Sequence, residues 1–130
     1  MVTEAMLVAK SLAFNSTPDS FAALNNAEDS CANDSAVGGG ICNSALGSSS
    51  IVSGGQFNIA CGTISTIGGG CDNKIGLTTS NYTAHPGTIG GGSYNTISSY
   101  SGYYDLYGNT IGGGSYNTTV SSYYNGQTIA

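Results

Sequence analysis

The chain has 130 residues, a formal net charge of −5 and only 7% charged side chains, with two lysines (Lys10, Lys74) and no arginine. So little positive charge excludes nucleic-acid binding, which needs a basic footprint on the phosphates, and attraction to an anionic bilayer surface. No stretch approaches the roughly 20 apolar residues of a spanning helix, so membrane insertion is not expected.

All 21 glycines lie at or after Gly38, while five of the seven acidic residues lie before Ser35, which sets a boundary near residue 35. Residues 1–34 are read as an N-terminal arm or cap. Glu4 to Ala13 holds good helix formers, and Ser16-Thr17-Pro18-Asp19 reads as a cap with proline in the first turn, leading into Phe21-Ala22-Ala23-Leu24. The first stretch also alternates as a strand, with Met6, Val8, Leu12 and Phe14 on one face, so helix and assembly strand both stand. The apolar run Ala5 to Ala9 is short and follows no basic segment, so no secretory signal is visible; processing before Met1 and assembly inside the producing cell both remain open.

From residue 35 to 130 a repeat takes over. Five units close on an asparagine after a small apolar residue and a glycine cluster: Val37 with Gly38, Gly39, Gly40 and Asn43; Val52 with Gly54, Gly55 and Asn58; Ile67 with Gly68, Gly69, Gly70 and Asn73; Ile89 with Gly90, Gly91, Gly92 and Asn95; Ile111 with Gly112, Gly113, Gly114 and Asn117. The asparagines are 15, 15, 22 and 22 residues apart. A fixed period of this size signals one supersecondary unit stacked on itself. The composition by itself resembles a disordered Gly/Ser segment, but the low charge and the in-register Ile/Val positions favour order.

Each period offers two short extended pieces ended by Gly or Asn, where the backbone needs positive φ. The expected fold is all-β, a parallel β-solenoid or β-roll of five to six short coils. Val37, Val52, Ile67, Ile89 and Ile111 are its predicted thin core, and a further small apolar residue follows each of the first four asparagines by two places: Ala45, Ala60, Ile75 and Ile97. The asparagines either stack as an internal polar column or each satisfy their own turn.

The unit from Asn58 to Asn73, Asn-x-Ala-x-Gly-x-x-Ser-x-Ile-Gly-Gly-Gly-x-x-Asn, resembles the head repeats of YadA-like trimeric autotransporter adhesins and related phage and viral fibre proteins. The similarity covers residues 35 to about 120 and is strongest over 37–73. It implies parallel β-roll coils, often three chains side by side, and a role in surface attachment. These 130 residues depart from that pattern in showing no coiled-coil stalk or membrane anchor, in the 22-residue later units, and in carrying cysteines within the coils.

Four cysteines, Cys31, Cys42, Cys61 and Cys71, lack the close pairs of a structural zinc site. Two readings stand: short-range disulfides Cys31–Cys42 and Cys61–Cys71, or four small buried residues. All nine tyrosines fall late, at Tyr82, Tyr94, Tyr100, Tyr103, Tyr104, Tyr107, Tyr116, Tyr123 and Tyr124. Among Ser, Gly and Asn they suit a contact surface for a sugar or a neighbouring chain, with Tyr94 and Tyr116 at equivalent positions; shielding of the thin core is the competing reading.

Enzymatic chemistry finds no footing in the motifs. His85, the single histidine, precedes Pro86 in a loop pattern, no Gly-Lys-Ser/Thr follows the glycines, and the calcium nonapeptide aspartate occurs in one copy, Asp72. No cofactor or metal is expected. The N-x-S/T triplets at Asn15, Asn33, Asn81 and Asn117 are about what chance provides in so Asn-rich a chain. Gln127-Thr128-Ile129-Ala130 reads as the start of another unit, matching Asn109-Thr110-Ile111. The expectation is a non-enzymatic structural subunit of an extracellular self-assembling fibre, its partners being further copies in a head-to-tail filament or homotrimer. The alternative is a virion, phage-fibre or adhesin head on a cell surface, binding glycans or proteins. Ice binding ranks below both, since no regular Thr-x-Thr array repeats.

Overall fold

In the computed structural model, residues 34–76, 86–99, 108–121 and 126–130 are described, and all regular structure among them is β. The predicted N-terminal arm lies outside the described residues, apart from Asp34. Eleven short strands follow one another: β1 (Ala36–Val37), β2 (Ser44–Ala45), β3 (Ile51–Val52), β4 (Ile59–Ala60), β5 (Thr66–Ile67), β6 (Lys74–Ile75), β7 (Gly87–Ile89), β8 (Thr96–Ser99), β9 (Asn109–Ile111), β10 (Thr118–Ser121) and β11 (Thr128–Ile129). Odd-numbered strands form one sheet, β1-β3-β5-β7-β9-β11, and even-numbered strands form the other, β10-β8-β6-β4-β2, with every pairing parallel. The chain is therefore a parallel β-solenoid of five coils and the opening strand of a sixth.

Strands of two to four residues have no stability alone. Here each is held by its neighbours above and below, at the axial step of about 4.8 Å typical of paired strands. The glycine corner adds a third ladder, because Ile41, Gln56, Cys71, Ser93 and Ser115 pair in parallel bridges from coil to coil. The backbone of one corner thus bonds in both axial directions: Gln56 N–H donates to the Gly70 carbonyl at 2.9 Å, and Asp72 N–H donates back to Gln56 at 2.9 Å.

The core is one side chain wide. Val37, Val52, Ile67, Ile89 and Ile111 point inward from the first sheet, and Ala45, Ala60, Ile75 and Ile97 meet them from the second. All nine are buried, so the predicted core stands as read. Burying an aliphatic side chain of this size is worth about 1.5–3 kcal/mol, and so short a column leaves much of the stabilisation to the backbone ladders.

Unit length does not disturb register. Ile67 pairs with Ile89 and Ile89 with Ile111 across 22 residues, just as Val52 pairs with Ile67 across 15. The added residues enter after the second-sheet strand and leave the Gly–Asn corner unchanged. Ile129 aligns with Ile111, which makes the last residues the first strand of another unit, as the sequence suggested.

The asparagines do both things the sequence allowed. Asn58 is fully buried, and its Nδ2 donates to Asn43 Oδ1 (3.1 Å) in the coil before, to the Gly54 carbonyl (3.0 Å) in its own turn and to the Gly70 carbonyl (3.0 Å) in the coil after. Its backbone N–H also donates to Asn43 Oδ1, at 3.0 Å. Asn73 and Asn95 repeat the pattern. One expectation needs correcting: the left-handed residue of this corner is not the asparagine but the one before it, at Cys42, Phe57, Asp72, Tyr94 and Tyr116, with φ between 54° and 59°. That twist swings the next side chain inward.

Two predictions follow from this bonding. Asn73→Ala removes the Nδ2 hydrogens shared among Asn58, Gly69 and Gly92 and takes the acceptor from the buried Asn95 backbone N–H, so urea denaturation should show a loss of about 3–5 kcal/mol; Asn117→Ala, which gives up the Nδ2 bond to Gly113, should cost about 1 kcal/mol. Gly92 has φ +93° and an added methyl would collide with the Gly114 carbonyl oxygen, whereas a methyl on Gly113 meets nothing within 4 Å. Gly92→Ala should therefore lower the thermal midpoint sharply, while Gly113→Ala stays within about 0.5 kcal/mol of the parent.

Candidate functional surface

With a core this thin, the chemistry available to a partner sits on the outside of the corners and sheets. The glycine corner projects one column of side chains, Cys42, Phe57, Asp72, Tyr94 and Tyr116, because every member shares the same left-handed backbone. Phe57, Tyr94 and Tyr116 are exposed, Tyr116 to 76%. Tyr94 and Tyr116, one coil apart, stack with centroids 4.9 Å apart and planes 5° from parallel. A stacked aromatic pair is worth about 0.5–1.5 kcal/mol beyond its area. Asp72 instead reaches Lys74 Nζ at 2.6 Å, a partly exposed pair of small energetic weight.

The predicted tyrosine ladder is thus present for the two tyrosines the structure describes. Tyr82, Tyr100, Tyr103, Tyr104, Tyr107, Tyr123 and Tyr124 lie outside the described residues, as does His85.

The opposite corner carries a second left-handed column. Asp34, Ser49 and Ile64, 15 residues apart, have φ of 60°, 57° and 57°. Asp34 therefore already belongs to the first coil, one residue ahead of the boundary drawn from composition. Beneath this corner Ser50 and Ser65 are buried, and Ser65 Oγ donates to the Gly62 carbonyl at 2.6 Å while Ser50 Oγ has no partner. Ile64 is 63% exposed in a conformation that β-branched residues avoid.

The outer face of the first sheet presents a feature the sequence did not reveal. Thr66, Thr88, Thr110 and Thr128 pair consecutively, forming a single file of threonines along the axis. Unequal spacings of 22, 22 and 18 residues hide it in the linear chain. Two places along each strand stand Gly68, Gly90, Gly112 and Ala130, so the file has no second threonine row beside it.

Of the two cysteine readings, the disulfide one is corrected for the described cysteines. Cys42, Cys61 and Cys71 stand outside any disulfide, and each is half-buried. Cys61 follows β4, where its N–H donates to the Ile75 carbonyl, whereas Cys71 sits in the glycine-corner ladder before β6; the two stand at opposite ends of the second-sheet strands and form no disulfide. Cys31 lies outside the described residues. Among the described residues no three His, Cys, Asp or Glu side chains gather as a metal site.

Comparison with protein-family models, with curated proteins and with solved structures finds no match.

A left-handed conformation costs a β-branched residue roughly 1–2 kcal/mol, whereas Asn adopts it readily. Ile64→Asn should therefore raise stability by about 1 kcal/mol in chemical denaturation, an apolar-to-polar exchange that strengthens the fold.

Proposed function

We propose that the chain is a non-enzymatic structural subunit of an extracellular self-assembling fibre or surface filament, polymerising by head-to-tail stacking of solenoid ends. The observation that carries this reading is the polarity of the axial hydrogen bonds. In the first sheet, Gly38, Ser53, Gly68, Gly90 and Gly112 each donate their N–H to a carbonyl of the following coil: Val52, Ile67, Ile89, Ile111 and Ile129. Coils related by near-translation have complementary upper and lower faces. By the same translation the Ala130 N–H points away from β9, and the Val37 carbonyl points away from β3. Bringing these two faces together continues the ladder, and such a heterologous contact propagates unless it closes into a ring. Lateral packing of copies, including a homotrimer, is compatible with the same axial growth.

A second reading, a fibre or adhesin head that attaches to cell-surface glycans or proteins, draws support from the exposed Phe57, Tyr94 and Tyr116 on one corner. Large aromatic side chains are enriched where proteins meet partners.

Negative-stain microscopy with sedimentation velocity separates the two. Axial polymerisation should give unbranched fibres that lengthen with concentration. By the translation, Thr128→Pro removes a donor facing the next molecule while the Gln127 and Ile129 carbonyls still accept from Thr110 and Gly112, so this variant should give short particles of unchanged circular dichroism. A discrete particle at high concentration for the parent chain would refute the filament reading and leave the attachment head.

A further inference from the structure

We propose that Tyr94 and Tyr116 form an oxidative cross-linking site, at which a one-electron oxidant joins two adjacent coils through an intrachain dityrosine bond. The pair belongs to a single molecule, so the inference is independent of the fibre reading.

The geometry is that of two reactants already brought together. The rings lie face to face at 4.9 Å and within 5° of parallel. Their backbones are pinned by matching bonds, Tyr94 N–H to the Cys71 carbonyl at 2.9 Å and Tyr116 N–H to the Ser93 carbonyl at 3.0 Å, and by matching φ of 56° and 59°. Both are exposed enough for a diffusing oxidant to reach, at 46% and 76%. The corresponding places in the earlier coils hold Cys42, Phe57 and Asp72, so within this column the phenols occur as one adjacent pair. Holding two reacting groups in proximity and alignment converts a slow bimolecular encounter into an intramolecular step.

Each phenol gives one electron and one proton to the oxidant, leaving a phenoxyl radical whose unpaired electron is shared with the carbons ortho to oxygen. Two such carbons, one from each ring, form a new C–C bond. Each then loses its hydrogen as a proton, and each oxygen regains one, which restores two aromatic phenols. Two C–H bonds are replaced by one C–C bond, and two electrons and two protons leave. With hydrogen peroxide and a haem peroxidase as oxidant, these reduce one peroxide to two waters.

The test treats dilute, folded protein with a haem peroxidase and hydrogen peroxide, with N-acetyltyrosinamide in parallel to show that the oxidant couples phenols. Cleavage before Asp105 separates the peptide carrying Tyr94 from that carrying Tyr116. The expected product is the two peptides joined with loss of two hydrogens, showing dityrosine fluorescence, with tandem fragmentation placing the link at Tyr94 and Tyr116. Tyr94→Phe and Tyr116→Phe keep a ring at each place and should keep the circular dichroism, yet each should abolish that link. Absence of dityrosine while the small phenol couples, a link confined to other tyrosines or to separate molecules, or survival of the joined peptides in either Phe variant would overturn the proposal.

Discussion

One side-chain amide per coil holds this fold to its shape. Each buried asparagine of the column accepts from the backbone of the coil that follows, and those in the middle also donate to the coil before and close their own turn. An amide that must reach three carbonyl-type oxygens has little freedom, and a buried amide left unsatisfied costs about 1–3 kcal/mol. The rest of the repeat follows from that demand. The preceding residue must turn left-handed to aim the amide inward. Gly40, Gly55, Gly70 and Gly92, each the last of its cluster, must be small, because the neighbour in the next coil passes within collision distance of any Cβ. The motif Gly-Gly-Gly-x-x-Asn records a bonding pattern.

This constraint also divides the two corners by role. The glycine corner is fixed by a ladder of its own and by the asparagine column, so its length never varies and its outward column repeats faithfully. The opposite corner carries serines or other polar residues and tolerates seven additional residues without loss of register. Loop closure grows only slowly more costly with length, so insertions collect where no lattice of bonds forbids them. The stacked pair Tyr94 and Tyr116 falls at the rigid corner. Rigidity is what lets two phenols in different coils share one geometry.

How much of this was legible depended on whether the cause was local. The repeat, the parallel solenoid, the inward Val/Ile positions and the equivalence of Tyr94 with Tyr116 were readable, because each is written into a short motif copied at intervals. The stacked amides were readable as one of two alternatives, and the structure shows that they were never exclusive. Less accessible was the left-handed conformation of Phe57, Tyr94 and Tyr116, residue types with no strong preference for it; tertiary bonding overrides their propensity. Of the two cysteine readings, the disulfide one fails for a related reason. Sequence separation of 10 between Cys61 and Cys71 looks short, yet it spans most of one coil and leaves them at opposite strand ends.

By itself, then, the sequence determined the kind of object this is: a low-charge column of near-identical coils whose inside is set by Ile, Val, Ala and Asn. It did so because burial and turn formation act on residues a few places apart. Which side chains stand next to one another along the axis was decided only in three dimensions. The threonine file of Thr66, Thr88, Thr110 and Thr128 and the exposed, strained Ile64 both arise from register between coils, and register pairs residues 15 to 22 apart rather than following any local signal.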